Sequence, residues 1–180
     1  SKEKLFVMQE FCAEEAVLFY TPNVDYRDFQ NLVEDLLFKW RQYFNQGYDV
    51  IFMGSSMGGF ASEYLAMKTG CHAIMINPAI RPSELLRQFI GVTENYETGQ
   101  PYHWDHNHCE QYLRYEQELD DNHQVIDRTI LLDKADELID SEKTLSKYQA
   151  IANVVAFDGG SHSFEHMRQA LPVIERILFP

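Results

Sequence analysis

An apolar run that ends in a glycine-flanked serine and continues into a helix leaves few folds open, and Asp49-Val50-Ile51-Phe52-Met53-Gly54-Ser55-Ser56-Met57-Gly58-Gly59-Phe60 is such a run. Asp49 to Met53 has the length and composition of a buried strand. The Gly-x-Ser-x-Gly spacing of Gly54, Ser56 and Gly58 matches a nucleophile elbow, whose central serine occupies a strained turn between strand and helix. Small residues two positions to either side let the backbones approach. The helix that follows points its N-terminus at Ser56, where its dipole and N–H groups favour developing negative charge.

The rest of the chain repeats this strand-then-helix rhythm. Leu5, Met8, Phe11 and Cys12 fall at helical spacing, with Ser1 at a cap position. Ala16 to Tyr20, stopped by Thr21-Pro22-Asn23, reads as a short buried strand. From Asp28 to Phe44 apolar residues recur at three- and four-residue steps, the strongest helical signal in the sequence. The helix from Met57 stops at Gly70, Ala73 to Ile76 is the next strand, and a helix follows Arg81-Pro82-Ser83. Gly91 to Asn107 loses hydrophobic periodicity, a helix runs from about Cys109 to Leu119, and segment 91–124 as a whole is expected to be a lid. Thr129 to Leu132 and Asn153 to Phe157 are strands, Ser141 to Tyr148 is a helix between them, and a last helix is expected to kink or restart at Pro172. Alternation throughout implies a single α/β domain over residues 1–180, its mostly parallel sheet covered by helices on both faces.

Composition narrows the function. A formal charge of -13, from 15 basic and 28 acidic residues, repels nucleic acid and anionic membranes, and no Lys/Arg cluster offsets it. No stretch approaches the roughly 18 uninterrupted apolar residues of a membrane span, and the N-terminus has no signal-peptide pattern. Cys12, Cys71 and Cys109 have no metal or disulfide spacing and read as small buried hydrophobes of a reducing compartment. The expected location is the cytoplasm.

A serine hydroxyl becomes nucleophilic only when a base takes its proton, and a carboxylate must hold that base in one tautomer. In this architecture the order is Ser, acid, His, with the histidine beyond the last strand. His162, in Asp158-Gly159-Gly160-Ser161-His162-Ser163-Phe164, stands there. Asp136 lies in the loop after a late strand and is the favoured acid; Asp133 ends the strand itself and comes next, Asp158 third, and Asp140 belongs to the following helix start. Glu137 is expected to be solvated. Met57, which follows the nucleophile, offers one oxyanion N–H, and the loop for a second is not visible in this sequence.

His103, His106, His108 and Cys109 resemble a metal cluster, but neighbours on a loop or helix start need not converge, and a lid surface is the expected reading with no metal or cofactor. Arg81 could reach an anionic substrate group, and is expected instead to be a structural ion-pair partner.

Taken together, Gly54 to Phe60, Asn77-Pro78-Ala79-Ile80-Arg81-Pro82-Ser83-Glu84-Leu85-Leu86, Glu94 to Gln100, Asp136-Glu137-Leu138-Ile139-Asp140 and Gly159 to Phe164 resemble the motifs of the small bacterial esterases of the YqiA/YcfP type, nearly end to end. The resemblance implies a three-layer α/β-hydrolase fold, a triad of Ser56, Asp136 and His162, and hydrolysis of small carboxylic esters or thioesters without a cofactor. It also implies an upstream strand ending in a His-Gly loop that supplies the second oxyanion donor. This sequence starts after that strand, so the sheet is expected to lack its usual first strand and the sequence to represent part of a longer protein. A non-catalytic binding module with an incomplete oxyanion hole is the alternative expectation.

Overall fold

The computed structural model describes residues 2–94 and 101–180. Its strands are β1 (Ile51–Ser55), β2 (His72–Ile76), β3 (Gly91–Glu94), β4 (Pro101–Trp104), β5 (Arg128–Asp133) and β6 (Asn153–Phe157). Its helices are α1 (Lys2–Glu14), α2 (Phe29–Asn45), α3 (Met57–Thr69), α4 (Pro82–Leu85), α5 (His106–Glu110), α6 (Tyr112–Asn122), α7 (Ser141–Tyr148) and α8 (Met167–Leu178). The main sheet has the order β1-β2-β5-β6. All three of its ladders are parallel, with Ser55 opposite Ile76, Ile76 opposite Leu131, and Leu131 opposite Val155. Every strand therefore ends at the same edge.

Successive side chains of a strand point to opposite faces, so a sheet covered on both sides must be apolar at every position. Phe52, Ala73, Met75, Ile130, Leu132, Val154 and Ala156 face one core, shared with α2, α3, α6 and α7. Ile51, Met53, Ile74, Ile76, Leu131, Val155 and Phe157 face the other, shared with α1 and α8. In the first core Phe29, fully buried, meets Phe60, Tyr64, Tyr112 and Tyr115 at centroid separations of 4.7–6.0 Å. Burying such a ring contributes roughly 1.5–3 kcal/mol, with aromatic pairing adding about 0.5–1.5 kcal/mol more. The α2 helix that carries it starts where its sequence dictates: Asp28 caps it by accepting the Asn31 N–H at 3.1 Å.

Four expectations are corrected. Ala16 to Tyr20 forms no strand; Ala16 turns the chain at φ 55, and the segment then runs without a ladder partner. It keeps a strand's alternation, Val17 and Phe19 packing on the core shared with α1 and α8 while Leu18 and Tyr20 are exposed. Periodicity specifies which side is buried, not whether a partner strand stands alongside. Within Gly91 to Asn107, expected as an excursion without periodicity, residues 91–94 and 101–104 form β3 and β4, which pair antiparallel, Gly91 opposite Trp104. Residues 95–100 lie outside the described residues, as do Ser1 and most of the Glu94 to Gln100 motif. The helix expected over Cys109 to Leu119 is two, α5 and α6. Finally, α8 does not restart at Pro172 but continues past it. The proline sits in the second turn, where its missing N–H concerns the carbonyl of exposed Arg168.

Candidate active site

The turn from β1 to α3 holds Ser56 at φ 56 and ψ -118, backbone angles that a residue with a side chain adopts rarely and only when its surroundings impose them. The flanking glycines are the reason this turn can close. A Cβ on Gly54 would overlap the Gly58 carbonyl, and one on Gly59 would sit 2.9 Å from Pro78 Cβ. The Ser56 backbone is fixed on both sides: its N–H donates to the Ile76 carbonyl at 2.9 Å, and its carbonyl accepts from Gly59 and Ala79. Met57 is the first residue of α3, so its N–H has no acceptor within the helix and is available beside Ser56.

At the same edge, the loops after β5 and β6 bring Asp136 to His162. The His162 Nδ1 lies 2.9 Å from Asp136 Oδ2 and 3.1 Å from Oδ1. Asp136 Oδ1 also accepts the N–H groups of Leu138 and Ile139, each at 2.8 Å, so the carboxylate is held by its own loop. Burial works to raise this carboxyl; the His162 hydrogen bond and the two backbone N–H groups outweigh it, leaving the group below the ordinary Asp value and ionised. A carboxylate only accepts, which puts the proton of a neutral His162 on Nδ1 and makes Nε2 the basic nitrogen.

The competing acids have other partners. Asp133, fully buried, pairs with His166 Nδ1 at 2.7 Å. Asp158 is almost wholly exposed and pairs with Lys134. Asp140 caps α7 by accepting the Lys143 N–H. Glu137 is exposed, as expected, but also accepts the His162 N–H at 2.9 Å, a contact the sequence did not disclose.

The model of an uncharacterised protein family, UPF0227, matches residues 1–178. The chain belongs to UPF0227. Among the solved structures that resemble this UPF0227 chain are the following three. A proposed hydrolase of Agrobacterium vitis S4 has a TM-score of 0.72 at 15% identity, with 97% of this chain and 82% of that one covered. A proposed hydrolase of the alpha/beta superfamily from Xanthomonas campestris pv. campestris gives 0.64 at 14% identity, covering 97% and 88%. The monoacylglycerol lipase of Paleococcus ferrophilus gives 0.56 at 12% identity, covering 85% and 73%. The UPF0227 chain has the α/β-hydrolase fold.

One residue near the elbow escaped the sequence reading. Lys4 of α1 is buried, and its Nζ donates to Ser55 Oγ at 2.7 Å. Burial lowers its pKa, while the negative charges of Asp136 and Asp133 work in the opposite direction. A lysine in a first helical turn ordinarily reads as solvated, so no signal marked it. The histidine cluster of the UPF0227 chain diverges. His108 Nδ1 accepts the Asp105 N–H while Asp105 accepts the His108 N–H, closing a capping box on α5; Cys109 is buried, and His103 and His106 are exposed. Among the described residues no three His, Cys, Asp or Glu side chains group as metal ligands. Arg81 pairs with Asp120 at 2.7 Å, in line with its expected structural role. No helix among the described residues is long and apolar enough to cross a membrane.

Proposed function

We propose that the chain is a serine hydrolase that cleaves small carboxylic esters or thioesters through an acyl-enzyme, with Ser56 as nucleophile, His162 as base and Asp136 as orienting acid. The observation that carries this reading is the His162–Asp136 pair at the sheet edge where Ser56 is held in its strained turn. In this mechanism Ser56 Oγ attacks the carbonyl carbon as His162 Nε2 takes its proton, and Asp136 stabilises the imidazolium. The tetrahedral oxyanion is met by the Met57 N–H and the α3 dipole. His162 then returns the proton to the leaving oxygen or sulfur, giving the acyl-enzyme. A water, deprotonated by the same nitrogen, releases the acid and regenerates Ser56.

The 91–124 segment serves as the lid in this reading. It is tied to the elbow through loop 25–27: Tyr102 donates to Asp25 at 2.6 Å, Arg27 lies over the Tyr102 ring at 4.3 Å, and Tyr112 donates to the Tyr26 carbonyl at 2.6 Å. The Tyr26 hydroxyl in turn stands 3.2 Å from where a Gly58 Cβ would be. The test is a rapid-mixing assay with a short-chain nitrophenyl ester. A burst of nitrophenol stoichiometric with protein, present in wild type and absent in Ser56→Ala, is expected; turnover that survives Ser56→Ala would refute the assignment.

A further inference from the structure

We propose that Asp133 is a positioning residue for His162, clamping the loop that carries it; the inference rests on the hydrolase reading. The loop after β6 runs from Asp158 through Gly159 and Gly160, both at positive φ, and the Gly159 carbonyl accepts the Ala135 N–H at 3.0 Å. Its geometry is supplied from β5. Asp133 Oδ2 accepts the Ser161 N–H at 3.2 Å and the Glu165 N–H at 2.8 Å, one on each side of His162. Oδ1 meets His166 Nδ1 at 2.7 Å, and the His166 ring stacks on Phe157 with its plane tilted only 7°. One carboxylate thus touches the loop at three points.

Its backbone takes part as well. The Asp133 N–H donates to Asn77 Oδ1 at 2.8 Å, and Asn77 Nδ2 donates to the Ser161 carbonyl at 2.9 Å and reaches the His162 carbonyl at 3.4 Å. Asn77 and Asp133 are both fully buried, at the ends of neighbouring strands. Phe164, at φ 57 and buried in the core shared with α1 and α8, anchors the far side of the turn. A buried carboxylate is costly to desolvate and is retained where each lone pair has a partner. Here those partners are two backbone N–H groups of the loop that carries His162 and the His166 ring, not the substrate.

The test compares kcat and KM of three variants with wild type. Asp133→Ala removes the clamp and is expected to lower kcat by roughly tenfold to a hundredfold, the scale of a misplaced catalytic group, with KM changed by less than about twofold. Asp133→Asn keeps an oxygen for the two loop N–H groups and an amide N–H for His166 Nδ1, and is expected to retain kcat within about threefold. Should Asp133→Ala fail to fold, Gly160→Ala replaces it, because a Cβ there would overlap the Asp133 carboxylate and part the loop from β5. Wild-type kcat in the clamp-breaking variant, with His162→Ala inactive, would overturn the clamp and leave the hydrolase reading intact. Turnover surviving in His162→Ala would overturn that reading itself.

Discussion

Replacing His162 with alanine is expected to lower kcat by roughly a millionfold, the scale seen when a serine nucleophile loses its base, and Asp136→Asn by about ten-thousandfold. The two differ for a physical reason. In the proposed mechanism no group accepts the Ser56 proton once the imidazole is gone. In the Asp136→Asn variant the ring remains, but an amide that donates toward Nδ1 favours the tautomer with its proton on Nε2, where the base is needed. Two controls make the result interpretable. Asp158→Asn, which touches only an exposed pair with Lys134, should leave kcat unchanged. Combining Ser56→Ala with His162→Ala should cost little more than either alone, because residues acting as a unit are not additive. Steady-state kinetics on one ester substrate reads all of these.

The largest effect on stability is expected from Glu63. On α3, it is buried with its Oε1 2.7 Å from Arg128 Nη1 and its Oε2 accepting the Tyr148 hydroxyl at 2.7 Å. Arg128, at the start of β5, is also buried, and its other Nη donates to the His123 carbonyl. Glu63→Ala leaves that buried guanidinium without its counter-charge, which costs about 3–5 kcal/mol. For a domain of this size the melting temperature should fall by on the order of 10 °C. Arg128 and Asp133 terminate opposite ends of the same strand, so the folded fraction of Glu63→Ala should keep the wild-type rate. Urea unfolding followed by circular dichroism measures the loss directly.

Much of this was legible from residue order. Strands β1, β2, β5 and β6 are short apolar runs bounded by turn residues, and α2 shows a cap and a continuous apolar stripe; these are local signals. The elbow was legible because its glycines answer a local steric demand, visible in what a Cβ on Gly54 would strike. What stayed hidden depends on distant partners. The β3–β4 ribbon has strands of four residues, too short to carry periodicity. Val17 and Phe19 alternate as a strand would, but a ladder is a property of two segments. Asp133 and Asp136 face His166 and His162 across similar separations in sequence, and only the fold decides which acid meets which histidine. Glu63 and Arg128 are 65 positions apart on different elements, so nothing local marks their pairing.

The most direct measurement of the central claim is labelling with a fluorophosphonate probe followed by mass mapping of the adduct. These probes phosphonylate a serine whose proton a neighbouring base removes, so they report the activated nucleophile without requiring its natural substrate. One adduct per chain is expected, on Ser56, absent in Ser56→Ala and reduced at least about a hundredfold in rate in His162→Ala. Absence of labelling in the wild-type protein, or an adduct elsewhere that persists in both variants, would contradict it.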